Sequence, residues 1–428
     1  MRLKKVAAIC MATSMAMGCL AGCGGDSGSD TTKGSDTANT EKQETQSIEL
    51  TVWAPQEDQA ASDEYPDGMI QALCEKFDEE HEEWDITFKY GVMSEADAAE
   101  SVMKDLDAAA DVFMFANDQI PKMVAAGALA RFGGTNMEEM QKHNSEAMAQ
   151  SVTYEDAVYA IPFTPNTYFL FYDKSKFSED EVKSLDTMME KDLGEGVHNF
   201  SFDLDNSWYL PAFYYAAGGE LFGENGDDEE AGTTFGDCVN ATEYVINLAN
   251  NPKFFIEESG ASIAKFKDGT LGAFISGSWD AEAIREGLGD NFGVTKLPTI
   301  ELDAEDCQLY SLTGSKCIGV NPKSANMAAS VALAAYLGGE EAQKVRFEVR
   351  NITPTWDTVT ELDEVKEDDV AAAQILQINE ASKTQPIVSK MNDFWSPMES
   401  LGKAIVQGDV TLDNAAEATA QMGEGIMK

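Results

Sequence analysis

The sequence predicts an α/β architecture built on a parallel sheet with helices on both faces. From Ile48 to Phe115 the hydrophobic period alternates between strand and helix in the order β-α-β-α-β, an order that requires right-handed crossovers. The chain has 428 residues, room for two or three domains with full cores. Apolar residues are 43% and charged residues 25%, ordinary globular usage that argues against a wholly disordered or membrane-embedded chain.

Each element has its own signal. Ile48 to Trp53 is a short run with β-branched residues, and Pro55 then turns it into a loop. Gly68 to His81 carries Met69, Ile70, Leu73, Cys74 and Phe77 at helical spacing, whereas Trp84, Ile86, Phe88 and Tyr90 alternate as in a strand. Ser94 caps a second helix expected to run through Ala110, with Ala98, Val102 and Leu106 on one face. Asp111 to Phe115 is the next buried strand. Further on, Tyr168 to Asp173 reads as an isolated strand. Helices are expected at Phe213–Gly219, Phe235–Asn250, Ser324–Leu337, Glu341–Val349, Val370–Ala381, and from Trp395 to the C-terminus. No repeat of 20–50 residues is visible, which disfavours solenoids and propellers.

The N-terminus predicts where the chain works. Arg2, Lys4 and Lys5 precede an apolar stretch from Val6 to Cys19 that is too short for an ordinary membrane span and reads as a secretory signal. It ends in Leu20-Ala21-Gly22-Cys23, which resembles the bacterial lipobox, where cleavage precedes the cysteine and its thiol carries a diacylglyceryl group. Residues 1–22 are then the signal peptide, Cys23 the lipidation site, and 23–47 a tether without aromatics or large aliphatics before the folded part. Dual acyl chains would hold the protein on the outer face of the cytoplasmic membrane. The formal net charge of −46 repels phosphates and anionic headgroups, so nucleic acid is not an expected partner.

Catalytic and metal motifs are missing. The three histidines have no second histidine at helical spacing, and HExxH, GxSxG and GxxxxGK[ST] do not occur. Asp203 to Ser207 resembles the start of a calcium loop, but Trp208 stands where the turn glycine belongs. No CxxC pair suggests zinc or redox chemistry. Cys74 reads as a core residue, and Cys307 and Cys317 bracket an expected hairpin, leaving a disulfide between them open. No cofactor or metal is expected. A glycosidase carboxylate pair is not eliminated by pattern, because 76 acidic residues supply many pairs.

Aromatic residues beside turns are more informative. Trp279 follows Phe274-Ile275-Ser276-Gly277-Ser278, Trp395 lies in Asn392-Asp393-Phe394-Trp395-Ser396-Pro397, and Trp208-Tyr209 precede Pro211. Large rings at element starts, next to Asp, Asn and Ser, suit a carbohydrate: its C–H faces stack and its hydroxyls hydrogen-bond. In a doubly wound sheet ligands sit beyond the carboxyl ends of the strands, where strand order reverses. Glu57-Asp58 and Asn117-Asp118 would face that crevice.

These residues resemble the extracellular solute-binding proteins of ABC importers, in the maltose and maltodextrin branch. The resemblance runs over nearly all of residues 48–428. Its best blocks are Leu50-Thr51-Val52-Trp53, Ala160 through Lys174, Gly269 through Trp279, Asn291 through Thr299, and Phe394-Trp395. It implies a periplasmic-binding-protein-like fold of two α/β lobes joined by a multi-segment hinge, with lobe one at about 48–164 plus 318–368 and lobe two at about 165–317 plus 369–428. Crossings would fall near Phe163–Asn166, Gly314–Ile318 and Glu367–Ala372. The ligand positions it implies are Glu57, Asp58, Phe115, Asp118 and Asn166, with Trp208, Tyr209, Trp279 and Trp395 from the second lobe.

The departures are Phe115 for a tryptophan, Gln119 for an arginine, Asn166 for a glutamate, and Asp58 for a basic residue. Aromatic platforms survive better than polar clamps. The expectation is a monomeric, membrane-tethered binding protein, not an enzyme, that captures an α-linked gluco-oligosaccharide longer than a disaccharide and delivers it to ABC permease subunits. The alternatives are a binding protein for another sugar or small polar solute, and a surface glycoside hydrolase.

Overall fold

The computed structural model describes residues 45–258 and 260–427; Cys23, the signal and most of the tether lie outside the described residues. In chain order the strands of the first half are β1 (Gln46–Ala54), β2 (Trp84–Val92), β3 (Val112–Ala116), the short pair β4 (Thr153–Tyr154) and β5 (Ala157–Val158), and β6 (Ile161–Asn166). They continue with β7 (Tyr168–Asp173), β8 (His198–Phe202), β9 (Phe254–Ile256), β10 (Leu271–Gly277) and β11 (Phe292–Thr295). The last are a hairpin of β12 (Thr299–Leu302) and β13 (Glu305–Gln308), then β14 (Ser311–Val320) and β15 (Ser382–Thr384).

Two larger sheets result. The first has the order β15-β14-β3-β1-β2, with β6 also on β14. Here β1 is parallel to β2 and β3, as the β-α-β-α-β pattern requires, while β14 runs antiparallel to β3 and β6. Strand order reverses at β1, so the crevice of this sheet lies beyond the carboxyl ends of β1 and β3. The second sheet is β11-β7-β10-β8-β9. Each sheet has its own apolar core. Leu50, Val52, Phe77, Phe113 and Phe163 belong to one, and Phe200, Phe202, Leu210, Phe213 and Phe394 to the other.

Several expectations change. β1 starts at Gln46, paired with Trp84, so the tether ends earlier than composition suggested. The helix capped by Ser94 covers Glu95–Lys104 and stops short of Ala110. Asp105 ends it: its carboxylate accepts from the backbone N–H of Asp107 and Ala108 (3.1 and 3.3 Å), a local turn that competes with the helical ladder. β7 is not isolated but lies between β11 and β10, antiparallel to both. Its uninterrupted apolar run fits a strand covered on both faces, and all six residues are buried. The hairpin near Cys307 is β12–β13, turning at Asp303 and Ala304 with φ of 54° and 66°. Cys317 lies in β14 of the first sheet, where its thiol reaches the Phe115 carbonyl, and both cysteines are free thiols.

The chain leaves the first sheet at Thr167, between β6 and β7, and re-enters it after Leu309–Tyr310 with β14 and later with β15. Gly314–Ile318 lie within the first sheet, opposite β6, so this passage falls earlier than expected. A buried hydrogen-bond knot joins the passages. The Thr167 hydroxyl meets that of Ser311 (2.7 Å) and donates to the Leu312 carbonyl (2.8 Å), and Thr313 donates to Thr167 (3.2 Å). From the helix Asp369–Ala381, Gln377 donates to Ser311 (2.9 Å) and Gln374 to the Pro165 carbonyl (3.1 Å). These side-chain bonds tie Thr167 and the start of β14 to the helix Asp369–Ala381.

Candidate functional site

The second sheet gathers aromatic rings at its carboxyl edge. After β8 the loop Asp203–Tyr209 is anchored by Leu204 and, next in the chain, Leu210, both fully buried. The Asn206 carboxamide accepts from the Trp208 backbone N–H (2.9 Å), and Pro211 opens the helix Pro211–Ala216. Trp208 and Tyr209 are thereby held against buried Tyr168, their ring centroids 5.7 and 4.9 Å from its own, both edge-on. Trp395, on the helix Met391–Gln407, lies 6.3 Å from Trp208 and edge-on to buried Phe394 at 5.0 Å. All three residues are half-buried, packed against the apolar core of the second sheet.

Trp279 follows β10 and is 48% exposed, one of the few large apolar side chains left to solvent among the described residues. Its indole lies back over Gly277, where a Cβ would meet the ring at 2.0 Å, so only glycine admits this placement. Gly277 pairs with Tyr168, the first residue after the Thr167 passage. Trp279 therefore stands at the end of the sheet nearest the hinge.

Acceptors surround the rings. Asp203 has its carboxyl raised to about 6, chiefly by burial, with Asn206 opposing and Asp205 adding to the shift. Asp280 accepts from the Ser276 hydroxyl (2.5 Å), and burial raises it above the ordinary carboxylate range. Glu257 is buried, and its two carboxyl oxygens accept the backbone N–H groups of Gly260 and Ser262. Flat apolar faces interleaved with fixed acceptors can hold a molecule that has both C–H faces and hydroxyls.

The first sheet contributes less of what was expected. Glu57 is exposed on the turn after β1. Asp58 is 1% exposed and turns inward, paired with Arg350 and, at 3.8 Å, with the Nε of Arg346. Arg346 is fully buried, its guanidinium 4.6 Å from the Phe163 ring centre. Asp58 is thus withdrawn from the cleft surface by two arginines on the helix Glu340–Arg350. Phe115, expected beside the ligand, is 0% exposed and packs on Phe113 at 5.6 Å inside the sheet, because β3 is covered on both faces. Asp118 is partly exposed, accepts from Gln119 (2.5 Å) and is raised by burial. Asn166, the last residue of β6, is partly exposed opposite Gly314.

Two residues outside the expected set also reach this edge. Lys316 of β14 and Glu95, at the start of the helix after β2, approach to 3.4 Å. The signal was present in the sequence as the lone charge in Ser311-Leu312-Thr313-Gly314-Ser315-Lys316-Cys317-Ile318-Gly319-Val320.

Comparison with known proteins gives a consistent result. The family described as bacterial extracellular solute-binding protein matches residues 72–373. A galactooligosaccharide-binding protein of Bacillus subtilis (strain 168) is 26% identical over 404 residues, covering 90% of this chain and 91% of its own. A maltooligosaccharide ABC transporter solute-binding lipoprotein of Streptococcus pneumoniae serotype 4 (strain ATCC BAA-334 / TIGR4) is 25% identical over 326 residues, 72% of this chain and 74% of its own. A solved structure with acarbose is 41% identical, with a TM-score of 0.80 over 88% of this chain and 98% of that one.

Proposed function

The chain belongs to the bacterial extracellular solute-binding protein family, and on that premise we propose that it captures an α-linked gluco-oligosaccharide longer than a disaccharide between its lobes and delivers it to an ABC permease. The observation that carries this reading is the group of Trp208, Tyr209, Trp279 and Trp395 at one sheet edge, none of them fully buried and with carboxyl groups beside them. Several aromatic rings at one edge suit a ligand of several sugar rings. The similarity to a structure solved with acarbose, an oligosaccharide analogue, and to a maltooligosaccharide-binding lipoprotein supports it. In this reading the lobes divide near residues 167, 309–310 and 368, with β15 returning to the first lobe. The molecule works as a monomer, anchored through lipidated Cys23 to the outer face of the cytoplasmic membrane, and releases its solute chemically unchanged.

A galacto-oligosaccharide is the second reading, favoured by the relative that covers 90% of the chain. A calorimetric screen across maltodextrins, galacto-oligosaccharides, β-linked glucans and small polar solutes tests both. We expect saturable one-to-one binding with maltotriose and longer α-linked chains, and no new reducing ends after incubation. Binding of galacto-oligosaccharides alone would transfer the proposal to the second reading. Sustained release of reducing ends would overturn transport in favour of hydrolysis.

A further inference from the structure

We propose that Lys316 is the polar clamp of the first lobe, with Glu95 as its resting partner; this rests on the oligosaccharide reading. The strand order is β2-β1-β3-β14. Glu95 follows β2, and Lys316 lies on β14 opposite Ala116, the last residue of β3. The helix that Glu95 opens packs on β3, the neighbour of β14, so the pair meets beside the carboxyl end of β3, next to that of β1. Those two ends form the crevice where a doubly wound sheet takes its ligand.

The local environment points the same way. Lys316 is the one residue of β14 that is not buried. Its flanking Ser315 and Cys317 are fully buried. A charge in such a strand is costly to desolvate without a partner, yet the Nζ–Oε1 separation of 3.4 Å is long for a hydrogen bond. The lysine side chain stays 35% exposed, and Glu95 is 15% exposed. The ammonium therefore has donors to spare on its solvent side. Beside it Glu95 supplies acceptors, so the pair can give and take hydrogen bonds with neighbouring hydroxyls of one sugar.

The reach is suitable. Lys316 also pairs with Thr164, and Tyr168 pairs with Gly277, just before Trp279. Thr164 and Tyr168 are four residues apart, about 13 Å of extended chain. A short oligosaccharide stacked on Trp279 can extend across that interval to the lysine. This supplies on the first lobe a donor that Asp58, bound inward to arginine, does not provide.

The test compares Lys316→Met and Lys316→Arg with the parent protein, using maltotetraose in calorimetry and ligand-free thermal unfolding. We expect Lys316→Met to weaken binding about 10- to 100-fold, as loss of one or two charge-assisted hydrogen bonds implies, with little change in Tm. Lys316→Arg should retain most of the affinity. Acetylation of surface lysines, read by mass spectrometry, gives a second readout on the unmutated protein: saturating maltotetraose should shield Lys316. Unchanged affinity in Lys316→Met, or unshielded Lys316 at saturation, would overturn the inference while leaving the oligosaccharide reading intact. If the parent protein binds no oligosaccharide in the screen, it is the oligosaccharide reading that has failed, and the inference fails with it.

Discussion

Replacing Asp58 by alanine should destabilise the ligand-free protein by about 3–5 kcal/mol, the usual cost of removing one partner from a buried ion pair. The carboxylate is 1% exposed, Arg346 beneath it is 0% exposed, and Arg350 closes the group from the other side. Without Asp58 the Arg346 guanidinium keeps its desolvation and loses its counter-charge, and burial already depresses its pKa. In a thermal scan the loss corresponds to roughly 6–20 °C in Tm for a lobe of this size. Asp58→Ala combined with Arg346→Met should recover much of it, since the unpaired charge then disappears. A ligand-contacting Asp58 would behave differently: affinity would fall and Tm would hold. That outcome would show that the turn after β1 presents its second carboxylate to the cleft.

Truncating the platforms should separate binding from stability in the opposite sense. Trp279→Ala removes a ring that is 48% exposed and rests on the Gly277 backbone. Stacking and area burial worth about 1–3 kcal/mol should be lost, a 5- to 150-fold drop in affinity. The Tm of the free protein should move little. Trp395→Ala should cost similar affinity, with a larger stability loss, because that ring also packs on Phe394 and Trp208. Titration of both variants with the best sugar from the screen, beside thermal scans, checks each prediction. If both lose about 3–5 kcal/mol of stability, as core tryptophans do, and neither loses affinity, the aromatic edge is packing and not a platform.

The parallel core was legible because it rests on local periodicity. Met69, Ile70, Leu73, Cys74 and Phe77 mark a helix face without reference to anything distant, and all five are buried. The positions of the exposed and half-buried aromatics were legible for a related reason: Trp208 before Pro211 and Trp279 after a strand carry their turn context with them. Asp58 was not. Its fate is decided by Arg350, 292 positions away in the chain, and no spacing rule connects a loop carboxylate to a helix that far downstream. Phe115 shows the same limit. An aromatic at the end of a buried strand looks identical in sequence whether its ring enters the core or the crevice, and only the helices on both faces decide. β7 was misread because its antiparallel partners come later, from β10 and β11. Lys316 was visible as an isolated charge but had no meaning until β14 was set beside β3.

The central claim is that one solute is held by both lobes at once, so that full engagement requires them to close. Small-angle scattering on the protein alone and at saturation with the sugar identified by calorimetry measures this directly. A smaller radius of gyration with ligand and the same molecular mass is the expected result. Complete saturation with an unchanged radius of gyration would contradict it.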